Sequence, residues 1–285
     1  MKMHELAIRS EEKGPVCLGL DVREAYLPEI LKNDKGLSRE EKIFQFNKEI
    51  ILHTEEAVAC FKVQIACYEA LGLEGLRAYA RTLEFARERG NIVVADVKRG
   101  DIASTAGMYA QGHFSGDFES DIMTVNAYMG EDAITPYFPH IEEQGKGLFA
   151  LLRTSNPSAV DFQELKTDQG PLYLEVARKI EEWGGRLPRQ GNFNAIGAVV
   201  GLTAPEAFEE IQAVMPHTFF LVPGYGAQGG TGKDLARVLT KSRCMVVNSS
   251  RGLITAHQGV EEGADFAKVI QAKTEAMREE ILQWV

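Results

Sequence analysis

Eight apolar runs, several rich in β-branched residues, recur along the chain with helix-patterned stretches between them. They read "VCLGLD" (16–21), "CFKVQ" (60–64), "IVVADV" (92–97), "DIMTVNA" (121–127), "LFALLRT" (148–154), "AIGAVVGL" (195–202), "TFFLVPG" (218–224) and "CMVVNSS" (244–250). Most lack the polar–apolar alternation that one solvent-facing side imposes, so they predict strands buried on both faces of a parallel sheet. Ser38 and Glu41 form a capping-box signature before "IFQFNKEIILHTEEAV", and Thr203 and Glu206 form another with Pro205 in the first turn. "LGLEGLRAYARTLEFARERG" repeats apolar residues at helical spacing and stops at Gly90. From about Gly259 to Trp284, residues Phe266, Val269, Ile270, Met277, Ile281 and Trp284 share roughly one helix face. Eight strands alternating with helices predict a (β/α)8 TIM barrel, as a single domain over 1–285. An open doubly wound sheet is the alternative; the second strand–helix unit has no G-x-G-x-x-G turn, which counts against its dinucleotide-binding form.

Composition narrows the partners. The 31 basic and 41 acidic side chains leave a formal charge of −10, which argues against nucleic-acid binding but not against an anionic small molecule held by a local cluster of donors. No apolar run is long enough for a membrane span. The start, "MKMHELAIRSEEKG", lacks the apolar core of a secretory signal. Cys17, Cys60, Cys67 and Cys244 show no C-x-x-C spacing and read as reduced thiols of a cytoplasmic protein. The six histidines form no ligand-spaced pair, so no metal site is expected.

The charges fall where a barrel does its chemistry. Active sites of this architecture lie at the C-terminal ends of the strands. The first run ends in Asp21, the second carries Lys62, and "IVVADVKRGDIAST" (92–105) continues from a core strand into Asp96, Lys98, Arg99 and Asp101. Asp96 and Lys98, two apart, are expected on one face, with Asp101 just after a turn at Gly100. Adjacent strands are about 4.8 Å apart, so Asp21, Lys62, Asp96 and Lys98 are within reach of one alternating network. Such a network tolerates burial where a lone charge does not. Taken singly, Asp101 also reads as the N-cap of a helix starting near Ile102, and Arg99 as a salt-bridge or interface residue. At the other end, "VPGYGAQGGTG" (222–232) and "NSSRGL" (248–253) follow the last two strands, where barrels commonly bind phosphate, with Gln228 and Arg251 as donors.

"DVKRGDIAST" resembles the D-x-K-x-x-D signature of the orotidine 5′-phosphate decarboxylase family, and "PGYGAQGG" and "NSSRGL" resemble its phosphate segments. "GLD" and "FKVQ" fit as well, so the resemblance runs from Asp21 to Arg251; "VKRGDIAST", "VNAYMGEDAITPY" and "TSNPSA" look most like the longer type 2 subgroup. The resemblance implies decarboxylation of orotidine 5′-phosphate to UMP, the last step of de novo UMP synthesis, with neither metal nor organic cofactor. It implies Lys98 as the proton donor to C6, Asp96 as its orienter beside the departing carboxylate, and Asp21 and Lys62 at the ribose hydroxyls. It places Asp101, with Ile102 and Thr105, across the interface of a homodimer with shared sites. Ser155 becomes the pyrimidine contact, and Gln228 and Arg251 the phosphate grip. Segments 155–170 and 224–233 are the expected lids.

Three other readings are weighed against it. A sugar-phosphate decarboxylase on the same barrel would use Mg2+ and an acidic ligand where this chain has Lys62. A Schiff-base aldolase would need an imine-forming lysine, whereas Lys98 between Asp96 and Asp101 is expected to stay protonated. A non-catalytic nucleotide sensor would not need every one of these charged positions.

Overall fold

The computed structural model describes residues 1–202, 205–225, 244–260 and 265–284. Each of the eight predicted runs contains a strand: β1 (Val16–Gly19), β2 (Cys60–Gln64), β3 (Val93–Arg99), β4 (Ile122–Asn126), β5 (Gly147–Arg153), β6 (Ile196–Val200), β7 (Phe220–Pro223) and β8 (Met245–Ser249). Every one pairs in parallel with its sequence neighbour, and Val16–Leu18 of β1 pairs with Val247–Ser249 of β8. That last pairing closes the sheet into a (β/α)8 barrel and excludes the open doubly wound alternative.

Strand side chains alternate between two cores. Val16, Leu18, Phe61, Val63, Val93 and Ala95 pack outward against the helical shell. Cys17, Cys60, Val94, Ile122, Phe149 and Val246 point inward and fill the lower barrel, where Met3 and Leu6 of the helix Lys2–Lys13 plug the base. Each fully buried Val, Leu, Ile, Phe or Met among these contributes about 1.5–3 kcal/mol. Phe149 is accommodated because residue 197 is glycine; a Cβ there would lie 2.7 Å from its ring. Two residues further up the interior, period-two alternation replaces this apolar layer with Lys62, Asp96, Thr124 and Asn248. The strand pattern thus puts a dry floor under a polar mouth.

The helix Arg39–Thr54 starts as predicted, with the Ser38 hydroxyl accepting from Glu41 N at 3.2 Å. The Glu41 carboxylate, however, accepts from Arg81 and Gln45. The helix Gly72–Glu88 ends before Gly90, whose φ of 78° is left-handed. Pro205 opens the helix Pro205–Val214, while Thr203 and the Glu206 side chain lie outside the described residues. The last helix, Phe266–Leu282, is shorter than predicted: Asp265 caps it by accepting from Ala267 and Lys268. Its core face is Ala267, Ile270, Thr274, Met277 and Ile281. Trp284 lies past its end and is 43% exposed, because the helical face on which the sequence pattern set it stops at Leu282.

Candidate active site

Three of the four strand-end charges come to one point through regular strand geometry. Asp21 lies beyond β1, on a segment held by Leu20, whose N–H donates to Lys62 O at 2.7 Å and whose carbonyl accepts from Tyr68 OH at 2.9 Å. Lys62 Nζ donates to Asp21 Oδ1 at 3.1 Å and to Asp96 Oδ2 at 2.9 Å. Gln64 Nε2 adds a donor to Asp96 Oδ2 at 3.0 Å.

The fourth charge arrives differently. Ala95 pairs with Met123 and Arg99 with Val125, so β3 spends four residues where β4 spends two. Within this bulge Lys98 has φ 44°, in the left-handed region that non-glycine residues rarely adopt. The simple alternation that would put Asp96 and Lys98 on one face is broken there. The bulge itself aims Lys98 into the mouth, and its Nζ donates to Asp96 Oδ1 at 2.6 Å. The glycine at 100 is not the turn's left-handed residue either; that conformation falls on Lys98 and Ala103, and Gly100 instead allows Asn126 Cβ to approach.

The two lysines have different surroundings. The Lys62 side chain is 5% exposed and that of Lys98 is 47% exposed. Burial alone would lower the Lys62 pKa, but the Asp21 and Asp96 carboxylates outweigh it and hold the ammonium well above the usual lysine range. Burial would likewise raise Asp96, yet Lys62 and Lys98 hold it well below the usual carboxylate range. Asp96 is therefore an ionised carboxylate with a buried ammonium on one oxygen and a rim ammonium on the other.

These groups line a cavity of about 460 Å³ that also takes in Ser155 and Asn248. Ser155 reaches it because residue 201 is glycine: a Cβ there would lie 2.8 Å from Ser155 Cβ. The preceding turn is bracketed by Gln163, which accepts from Thr154 N at 2.9 Å and donates to Thr154 Oγ1 at 2.8 Å. A second hollow of about 380 Å³ adjoins the first through Asp21, Pro223 and Asn248, and carries the guanidinium groups of Arg23 and Arg251. Gln228 and most of the 224–233 segment lie outside the described residues. The 155–170 segment contains a short turn of helix, Pro157–Asp161, and a two-residue hairpin, Lys166–Thr167 with Gly170–Pro171.

Asp101, Ile102 and Thr105 stand apart from this cluster; none lines either hollow. Asp101 is not the helix N-cap that its position suggested. The helix Ala103–Phe114 begins one residue later than expected, its N-cap position falls on Ile102, and Asp101 Oδ1 accepts from the adjacent Ile102 N at 2.8 Å. Ile102 and Thr105 are exposed. Arg99 takes the structural part foreseen for it, with its guanidinium 5.0 Å from the Tyr109 ring and 3.8 Å from Glu69.

Sequence reasoning missed Gln64, Thr124, Asn248 and Arg23. The first three are uncharged residues inside strand runs, and their contacts with Asp96 and Cys17 form only when a neighbouring strand arrives. Arg23 sits two residues past Asp21 in a stretch with no motif. Among the described residues no group of three or more His, Cys, Asp or Glu side chains is placed to hold a metal, and no helix is long and apolar enough to cross a membrane.

Fold and site together define a (β/α)8-barrel enzyme with an ion-paired centre at the C-terminal ends of its first strands. Residues 14–266 match the Orotidine 5′-phosphate decarboxylase / HUMPS family. An orotidine 5′-phosphate decarboxylase of Clostridium acetobutylicum is 51% identical over 273 residues, covering 95% of each chain. One from Clostridium tetani is 45% identical, covering 99% of this chain and 98% of the relative. The solved structure of Leishmania donovani OMP decarboxylase superposes with a TM-score of 0.78 at 28% identity, covering 99% of this chain and 98% of that one. The chain belongs to this decarboxylase family.

Proposed function

We propose that this chain decarboxylates orotidine 5′-phosphate to UMP and CO2 in pyrimidine biosynthesis, and that 1–285 forms one decarboxylase domain of the type 2 subgroup. The observation that carries the reading is the run Asp21–Lys62–Asp96–Lys98, with contacts of 3.1, 2.9 and 2.6 Å, on the wall of a nucleotide-sized cavity. Lys98 is the proton donor. Its ammonium is the more exposed of the two, so it can meet C6 as CO2 departs, stabilise the negative charge that develops there, and then supply the proton. Asp96 fixes that ammonium and faces the substrate carboxylate, an arrangement that disfavours the ground state. Lys62 and Asp21 serve the ribose hydroxyls, Ser155 the pyrimidine, and Arg251 with Gln228 the phosphate, whose binding energy holds the reactive end in place. The chemistry in this proposal uses no metal or organic cofactor.

A homodimer with shared sites belongs to the same reading. Asp101 stands outside its own chain's network, and Ile102, Met108, Tyr128 and Met129, in the cap and helix after β3 and the loop after β4, are exposed apolar residues. Asp101, Ile102 and Thr105 then enter the partner's site, where Asp101 completes the charged array. The cytoplasm is the proposed location, in keeping with Cys17, Cys60, Cys67 and Cys244 forming no disulfide.

The test is the ultraviolet absorbance of orotidine 5′-phosphate with purified protein in EDTA, beside a Lys98→Ala control. The orotate chromophore should be lost with the wild type alone. No change with folded wild-type protein would overturn the reading and direct the work to sugar phosphates with added Mg2+.

A further inference from the structure

We propose that Thr124 is a positioning residue for the reaction, its hydroxyl setting both the Val97–Lys98 backbone and one oxygen of Asp96, and through them the place of the Lys98 ammonium. The inference rests on the orotidine 5′-phosphate reading of the site.

Thr124 is on β4 and 1% exposed. Its Oγ1 accepts from Val97 N at 2.9 Å and from Lys98 N at 2.8 Å, and lies 3.1 Å from Asp96 Oδ1. A hydroxyl has one proton and two acceptor sites. Backbone N–H groups only donate, so the two amides occupy both acceptor sites. The single proton is left for the third neighbour, an ionised carboxylate oxygen. All three bonds therefore have one consistent direction, and the hydroxyl is saturated.

Those three bonds land on what places Lys98. The bulge leaves the N–H groups of Val97 and Lys98 without the carbonyl partners that a regular ladder would supply, and the Thr124 hydroxyl takes both. Lys98 has φ 44°, a conformation that persists only where its surroundings hold it. Asp96 Oδ1 accepts from Thr124 Oγ1 and Lys98 Nζ together, while Oδ2 accepts from Lys62 and Gln64. One hydroxyl thus orients the carboxylate and the peptide units on either side of the lysine that answers to it. A residue serving only to fill the barrel would need the volume of threonine but not its oxygen.

The experiment compares Thr124→Val, which keeps the shape and removes the hydroxyl, with Thr124→Ser, which keeps the hydroxyl and removes a methyl. Steady-state decarboxylation of orotidine 5′-phosphate is the readout. Since a displacement of about 1 Å costs on the order of 100-fold in rate, Thr124→Val should lose about that much kcat with KM changed less than about threefold. Thr124→Ser should retain kcat within about threefold, a rescue that packing volume does not explain. The proposal is overturned if Thr124→Val keeps kcat within that range, if its loss lies in KM alone, or if Thr124→Ser is impaired as badly. Should Thr124→Val fail to fold, Thr124→Cys, whose thiol is a weak donor and acceptor, is judged by the same criteria. Failure of both to fold would overturn the proposal by making the hydroxyl a requirement of the fold. An inactive wild type would instead sink the functional reading itself.

Discussion

Arg99 Nε donates to His113 Nε2 across 3.1 Å, one residue past the lysine at the centre of the site. Acceptance at Nε2 puts the proton of the neutral ring on Nδ1, which is buried and, among the described residues, without a hydrogen-bond partner. Protonating Nε2 would set two cations against each other in a ring pocket closed by Phe118. Burial and the Arg99 charge accordingly lower the His113 pKa from near 6.5 to about 4.

The first prediction is a pH dependence of stability. Between those two values the unfolded chain binds more protons than the folded one, so stability is full above pH 6.5 and is lost as pH falls toward 4. Denaturant titrations at pH 7 and pH 5 should show the wild type losing about 2 kcal/mol more than His113→Gln over that interval. Equal losses in the two proteins would mean that His113 is not held neutral by the fold.

The second concerns the buried lysine. Lys62→Met keeps most of the side-chain volume but leaves Asp21 and Asp96 without their shared cation. Removing one partner of a buried ion pair costs about 3–5 kcal/mol. The carboxylate of Asp96 should titrate at higher pH in the variant, because the cation that lowers it most is gone. The stability that a depressed carboxylate contributes is present above its unfolded pKa and lost as pH falls from there through the folded one. With the folded value raised that difference shrinks, so Lys62→Met, though less stable at neutral pH, should lose less further stability on acidification than the wild type. Denaturant titrations above and below the unfolded carboxylate range check this; equal losses in the two proteins would show that Lys62 does not hold Asp96 ionised.

A third prediction tests the shared site. Lys98→Ala and Asp101→Ala chains should each be inactive alone. Mixed in equal amounts with subunit exchange, they should regain about a quarter of wild-type activity, since half the dimers are mixed and each carries one intact site of two. Exchange shown by native mass spectrometry with no return of activity would mean that Asp101 acts within its own chain.

What the sequence determined by itself follows from local chemistry. Eight apolar runs of strand length separated by helical spacing have few ways to bury both faces, and a barrel is one of them. Asp21, Lys62, Asp96 and Lys98 stood out because an ionised group at the end of a buried run must have a partner. Tertiary structure decided the rest. Closure between β1 and β8 joins residues about as far apart in the chain as Val16 and Val247, and no local pattern specifies it. The left-handed Lys98 was invisible because its hydrogen-bond partner, Thr124, is on another strand. Asp101 looked like a cap because capping signals depend only on spacing along the chain. The helix instead starts at Ala103 with Ile102 at the N-cap position, beyond a strand whose register against β4 shifts between Ala95 and Arg99. A single side chain declares its charge and shape in the sequence; which backbone it must hold is fixed only when the neighbouring strand arrives.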